Sequence, residues 1–226
     1  MERTILIGDV HGCIDELRAL LRTCGKGSED EVVFVGDLVA KGPDSQAVVQ
    51  FAREIGARGV RGNHDQHVLA WQRKGRHHPE GRLEALKPQH RRVAETLTDL
   101  DWQYLASLPL VLRLPEHDAI VVHGGFVPGV PLDEQRPEHL LNLRSITPDG
   151  RPSKRATDGE PWGATWQGPA HAVFGHDALR GLQQHPHATG LDTGCVYGKQ
   201  LTALIFPERR LVHVEARRAY APIKKA

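Results

Sequence analysis

The apolar run Ile5-Leu6-Ile7 ends abruptly in Gly8-Asp9-Val10-His11-Gly12. Such a run reads as a buried strand, and a buried strand has no structural need for a carboxylate and an imidazole at its end. Asp9 and His11 lie two apart, so on an extended strand end they point to one side. A hard oxygen and an imidazole nitrogen converging there fit half of a metal site; they fit a strand-to-helix turn capped by Asp9 equally well. The choice rests on the remainder of the chain.

The same pattern comes twice more. Residues 4–10 predict a strand and 15–24 an amphipathic helix, with Leu17, Leu20 and Leu21 at helical spacing. A second strand is expected over 31–39, again with an acid, Asp37, near its end. Gly42-Pro43-Asp44-Ser45 is turn chemistry before a helix over 46–55. A third strand at 58–61 runs into Gly62-Asn63-His64-Asp65 and a helix at 67–74. Three strand–loop–helix units predict a βαβ core whose polar side chains gather at the carboxyl ends of the strands.

Beyond this core, 75–108 reads as a helical insertion or cap. Strands are expected at 110–114 and 119–123, the latter ending in His123-Gly124-Gly125. Residues 128–169 read as loops with one short helix near 138–144, and 171–176, 188–193, 201–206 and 211–215 as strands. The tail from Ala219 is expected to fray.

Bulk properties narrow the class. The 226 residues carry a formal net charge of +1, which argues against a chain whose main business is wrapping nucleic acid or lying on an anionic membrane. No apolar run reaches the ~20 residues of a bilayer span, and the first strand begins too early to leave room for a signal peptide. Three cysteines, without a C-x-x-C pair, suit neither a disulfide framework nor a thiolate zinc site. A cytoplasmic protein is the expectation.

Collected from the strand ends, Asp9, His11, Asp37, Asn63, His64, His123 and His176 form a set of acids, an amide and imidazoles, each in a glycine-containing turn. Such a set on separate segments points to a shared centre. In order, the chain reads Gly8-Asp9-Val10-His11-Gly12, Gly36-Asp37-Leu38-Val39-Ala40-Lys41-Gly42, Gly62-Asn63-His64-Asp65, His123-Gly124-Gly125 and Gly175-His176. This series resembles the phosphoprotein-phosphatase superfamily of calcineurin-like, two-metal phosphoesterases over most of the chain.

The resemblance implies an α/β fold: a ββ sandwich flanked by helices, in one domain over 1–226, with a dinuclear site at the strand ends. It implies that Asp9 and His11 hold a first divalent ion, that Asn63, His123 and His176 hold a second, and that Asp37 bridges them. Mn²⁺ is the leading metal, with Fe, Co²⁺ and Zn²⁺ as alternatives. A hydroxide between the ions would attack phosphorus, with His64 as general acid.

The departures bear on substrate. Where the protein-phosphatase members carry Asp-Arg, this chain has Ala40-Lys41, so His64 lacks its usual carboxylate partner and Asp65 is the candidate replacement. Lys41 also exchanges a planar fork for a point charge. This version of the motif, with Asp192-Thr193-Gly194-Cys195 and the residues to Leu204, resembles that of bacterial symmetrical diadenosine tetraphosphatases, which carry Ala-Arg, and of the related bacterial-type phosphatases of eukaryotes, which carry Ala-Lys. Lys41 and Arg144 are the candidate phosphate-binding cations. The leading expectation is cleavage of diadenosine tetraphosphate to two ADP; a nucleoside polyphosphate or another phosphate ester is the partner class, and no stable nucleic-acid or membrane partner is expected. The rivals are a Ser/Thr phosphatase, a polyphosphate or capped-RNA hydrolase and, outside enzymes, a silent nucleotide sensor. Trp162 and Trp166 read as packing, Cys13 and Cys195 as small core residues, and His77-His78 as an exposed turn.

Overall fold

The computed structural model describes residues 3–75 and 86–222. Strand β1 (Thr4–Ile7) leads into helix α1 (Ile14–Cys24), β2 (Glu31–Phe34) into α2 (Ser45–Glu54), and β3 (Arg58–Gly59) into α3 (Asn63–Gly75). Helices α4 (Pro88–Thr96) and α5 (Asp99–Ser107) follow, then β4 (Val111–Leu114) and β5 (Ala119–Val122). A short α6 (Pro137–Asn142) precedes the two-residue strands β6 (Ser145–Ile146), β7 (Pro152–Ser153) and β8 (Glu160–Pro161), and a one-turn α7 (Trp162–Thr165). The last strands are β9 (His171–Phe174), β10 (Gln183–His185), β11 (Ala188–Gly190), β12 (Gln200–Phe206) and β13 (Arg210–Glu215).

Two five-stranded sheets, ordered β13-β12-β1-β2-β3 and β10-β11-β9-β5-β4, form the sandwich. Alternation along β1 shows how the layers assemble. Leu6 faces inward with Val33, Val121, Val173 and Leu204, while Ile5 and Ile7 face the helices with Leu17, Leu20 and Val48. Each such side chain removed from water contributes on the order of 1.5–3 kcal/mol. The outer face of the second sheet is covered by Phe126, Leu140, Trp162 and Trp166, so both tryptophans are packing residues.

Every predicted strand that carries a site residue forms, but each is shorter than its apolar run, because the polar residues lie in turns beyond the ladder. Two expectations are corrected here. β1 ends at Ile7 and His11 has φ +46°, so strand alternation is not what aligns Asp9 with His11. Helix α3 begins at Asn63 rather than 67, which puts Asn63, His64 and Asp65 in its first turn.

The segment expected as loops also holds a small sheet, ordered β7-β6-β8. Helices α4 and α5 join the helical layer through Val93, Leu97, Trp102 and Leu105, and a capping box at Thr98 and Asp101 starts α5. His77 and His78 lie outside the described residues. The tail is tied down as far as Tyr220, whose O–H donates to Glu16 Oε1 at 2.8 Å. Cys13 and Cys195 are buried and unbridged, yet the fold brings both within 4.8 Å of a Glu16 oxygen, a grouping that sequence spacing does not reveal. No described helix is long and apolar enough to cross a membrane.

Candidate active site

The turns after β1, β2, β5 and β9 and the start of α3 converge on one buried cluster. Asp37 is its centre. Its Oδ2 stands 3.4 Å from His11 Nε2 and 3.5 Å from His123 Nε2, and its Oδ1 accepts the His64 backbone N–H at 2.9 Å. One carboxylate thus lies between two imidazoles from different sheets.

Those imidazoles are oriented alike. His11 Nδ1 lies 3.0 Å from the Val39 carbonyl, and His123 Nδ1 lies 2.9 Å from that of Val35. A carbonyl only accepts, so each Nδ1 carries a proton and each Nε2 faces Asp37, the orientation of metal-ligating histidines. Asn63 Oδ1 is 3.1 Å from both His123 Nε2 and His176 Nδ1. Neighbouring donors ~2.1 Å from one ion in near-octahedral geometry are separated by ~3 Å, so these three atoms suit a shared cation. His176 Nε2 is buried without a partner. Asp9, 2% exposed, accepts the His176 backbone N–H through both oxygens at 3.2 Å, and its Oδ2 is 4.0 Å from His11 Nε2.

Backbone strain gathers here. Among the described non-glycine residues with positive φ are His11 (46°), Asp37 (51°), Ala40 (70°), Lys41 (65°) and His176 (71°), all at the site. Left-handed backbone costs a non-glycine residue on the order of 1 kcal/mol or more, and persists where the surroundings enforce it. Gly62 and Gly175 explain part of that enforcement: a Cβ on Gly62 would strike Asp37 Oδ1, and one on Gly175 would strike Asp9 Oδ1.

Electrostatics fit an acid-rich centre. Burial, with Asp192 beside it, pushes Asp9 well above the ordinary carboxylate range. Burial acts on Asp37 the same way, but the imidazoles of His123, His64 and His11 outweigh it and hold Asp37 well below. For His123 burial is outweighed by Asp37, so the ring rises to about 9. Burial lowers His64 to about 3, with Lys41 and His90 adding to the effect. Hard oxygens and imidazoles without a thiolate suit divalent ions such as Mn²⁺, Fe²⁺ or Zn²⁺.

The remaining candidates divide. Lys41 Nζ reaches His11 Nε2 at 2.8 Å and lies 5.3 Å from the Tyr197 ring centroid. Burial disfavours its charge, but Asp37 and Tyr197 outweigh burial and keep it cationic. Arg144 follows α6 rather than sitting on it, and donates to the backbone carbonyls of Lys154 at 2.9 Å and His176 at 3.0 Å. It steadies the His176 turn, with a quarter of its side chain exposed.

Asp65 does not partner His64. Its carboxylate turns inward and accepts backbone N–H groups of Leu38 (3.1 Å), Val39 (3.2 Å) and Gly62 (2.9 Å). It locks the Asp37 turn onto α3, so the expectation of Asp65 as a catalytic residue beside His64 is corrected to a structural one. The ring that meets His64 is His90 of α4, with His64 Nδ1 and His90 Nε2 at 2.9 Å. His90 lies in a polar run with no pattern to mark it. Asp192 was also overlooked as a site residue, although its Gly190-Leu191-Asp192-Thr193-Gly194 setting repeats the carboxylate-and-glycine signal of the other turns.

Comparison with known proteins identifies the family. A bis(5'-nucleosyl)-tetraphosphatase PrpE [asymmetrical] of Bacillus velezensis is 32% identical over 95% of this chain and 93% of its own. A symmetrical bis(5'-nucleosyl)-tetraphosphatase of Shewanella frigidimarina is 30% identical over 87% and 92%. A crystal structure assigned as a diadenosine tetraphosphatase superposes with a TM-score of 0.85 at 38% identity, covering 95% of this chain and 94% of that one. Residues 2–206 match the calcineurin-like phosphoesterase family, whose members are metallophosphoesterases that use divalent ions, and the chain belongs to the calcineurin-like phosphoesterases.

Proposed function

We propose that this chain hydrolyses a phosphoanhydride bond of dinucleoside polyphosphates in the cytoplasm, with symmetrical cleavage of diadenosine tetraphosphate to two ADP as its leading reaction and Mn²⁺ as its leading metal. The observation that carries the reading is Lys41. On two consecutive left-handed residues, Ala40 and Lys41, the backbone delivers an ammonium to the centre, where it takes the His11 Nε2 lone pair at 2.8 Å; a metal ion on that nitrogen would displace it into the adjoining space, toward substrate phosphates. A point charge there suits the phosphates of a polyphosphate chain, which need no bidentate fork.

In this reading Asp9 and His11 would hold one divalent ion, Asn63, His123 and His176 the other, and the Asp37 carboxylate would serve both. When bound, the pair supplies Lewis acidity toward phosphoryl oxygens and an acidified water. The chain's own residues do the rest. Val39 and Val35 hold two imidazoles in their ligating orientations, and Lys41 offsets phosphate charge beside His11. Once the acidified water has lost a proton to solvent, its oxygen bonds to phosphorus as the P–O bond to the departing ADP breaks, and the His64 ring N–H donates a hydrogen bond to that leaving oxygen. A phosphate leaves well already, so His64 matters less for an anhydride than for an alkyl ester.

A second reading differs in the bond cut. The Bacillus velezensis relative's name is qualified as asymmetrical, and cleavage at an outer anhydride would release AMP and ATP. Product analysis by ion-exchange chromatography on Mn²⁺-loaded protein decides. ADP alone supports the symmetrical reading; equal AMP and ATP replaces it with the asymmetrical one. An intact dinucleotide beside rapid turnover of a phosphopeptide or an aryl phosphate would overturn both.

A further inference from the structure

We propose that His90 is the positioning residue for His64, holding its ring so that Nε2, with the proton on it, faces the reacting phosphate. This rests on His64 acting at the leaving oxygen, as proposed above. The need for such a residue is visible in the turn after β2. Ala40 brings no carboxylate to His64, and Ser45 Oγ takes its backbone N–H at 2.9 Å. Asp65, next in chain to His64, is committed to three backbone N–H groups on the far side. Among the described residues, the side chain bonded to the His64 ring is His90.

The geometry is that of a dedicated partner. The two rings are inclined by only 26°, with centroids 5.0 Å apart, so the 2.9 Å contact lies close to both ring planes. His67, one turn further along α3, also sets its ring 4.5 Å from that of His90. His90 is 4% exposed, buried where α4 docks on α3. Burial, with His67 and Lys87 beside it, lowers His90 to about 4, so it stands neutral at pH 7.

Proton accounting then selects a tautomer. A neutral His90 carries one ring proton, and its Nδ1 is buried without a partner. A proton there would leave an orphaned buried N–H, which is costly and rarer in folded proteins than an orphaned acceptor. The proton therefore sits on Nε2 and is donated to His64 Nδ1. With Nδ1 accepting, a neutral His64 carries its own proton on Nε2. The centre meets an N–H rather than a lone pair, so a departing oxygen is stabilised rather than repelled. The role filled by a carboxylate in relatives with Asp-Arg is filled here by an imidazole from a different helix.

The test compares His90→Phe, which keeps a ring between His64 and His67 but cannot hydrogen-bond, with His90→Gln, whose amide N–H can replace the donor. Turnover is measured on phenyl phosphate and on 4-nitrophenyl phosphate, whose leaving groups need different help. His90→Phe should lower kcat on phenyl phosphate by roughly 10- to 100-fold more than on the nitro compound, and His90→Gln should restore most of the difference. Nitrogen-15 spectra of the zinc-loaded enzyme should show His64 as the Nε2–H tautomer in wild type and His90→Gln. Equal slowing of both esters by His90→Phe, or an Nδ1–H tautomer in the wild type, overturns the proposal. If His64→Ala leaves the leaving-group dependence unchanged, the role of His64 fails instead, and the tautomer spectra still decide that of His90. Should His90→Phe not fold, His90→Gln and the wild-type spectrum carry the same decision.

Discussion

The backbone N–H of His64 donates to Asp37 Oδ1 at 2.9 Å, which leaves Oδ2 turned toward His11 and His123. The first turn of α3 thereby sets the orientation of the carboxylate at the centre. An Asp37→Ala chain loses the oxygen that lies between the two imidazoles, and a methyl group cannot replace it. Metal content by plasma emission spectrometry and kcat should fall together, with activity down at least about 10³-fold. Retained activity with full metal content would refute the two-metal assignment.

His64→Ala separates chemistry from metal binding. The side chain meets His90 and the edge of His11, and its own backbone N–H, which holds Asp37, survives the substitution. Metal content should stay at the wild-type level while kcat on phenyl phosphate drops by about 10²–10⁴-fold. The loss on diadenosine tetraphosphate should be smaller, because its leaving group is better.

Lys41 is testable by shape and charge. Lys41→Met keeps an unbranched stem of similar length and removes the cation that lies over Tyr197, so KM for the dinucleotide should rise about 10-fold or more. Lys41→Arg keeps the charge but requires more room beside His11, and steady-state kinetics should place it between the two. A KM unchanged in Lys41→Met would remove Lys41 from substrate binding.

Asp65 is a stability residue in a catalytic setting. Asp65→Ala strands the buried N–H groups of Leu38, Val39 and Gly62, at a cost of roughly 3 kcal/mol or more in urea unfolding. Metal affinity should weaken as well, since the Asp37 turn loses its anchor. A neutral result in both measurements would mean that the turn is held by other contacts.

Stability should depend on pH through a histidine far from any metal donor. His171 Nε2 lies 2.9 Å from Thr189 Oγ1, and burial, with Arg209 and His187 near it, lowers the ring to about 4. Below about pH 6.5 the unfolded chain takes up this proton while the folded chain does not, so His171's contribution is whole at neutral pH and is lost as pH falls from about 6.5 to 4. Allowing for solvent screening, the loss by pH 5 is on the order of 1 kcal/mol. In chelator-treated protein, urea midpoints at pH 7.5 and 5.0 should differ less in His171→Gln than in wild type.

Much of the centre is legible in the chain itself. Asp9, His11, Asp37, Asn63, His123 and His176 each follow an apolar run and sit beside or near a glycine, because a strand end must turn sharply where a ligating side chain faces inward. That pattern is local, so sequence carries it. Strand lengths were overread for the same local reason. Val10, Val35 and Leu38 are apolar and wholly buried, yet they line turns rather than ladders, and hydropathy cannot separate the two.

What only the tertiary structure decided is which groups meet across the fold. Asp65 follows His64 in the chain but, on the first turn of α3, points back to the turn after β2. His90 is 26 positions away and forms the contact, because α4 packs across α3. Arg144 reaches the His176 carbonyl, and Cys13 meets Cys195, through the same kind of closure. By itself the sequence determined the residues of the centre and the strands that carry them, since both follow from short-range patterning. The partner of His64, the inward turn of Asp65 and the approach of Lys41 to His11 depend on helix packing and left-handed backbone, for which a single chain position carries no signal.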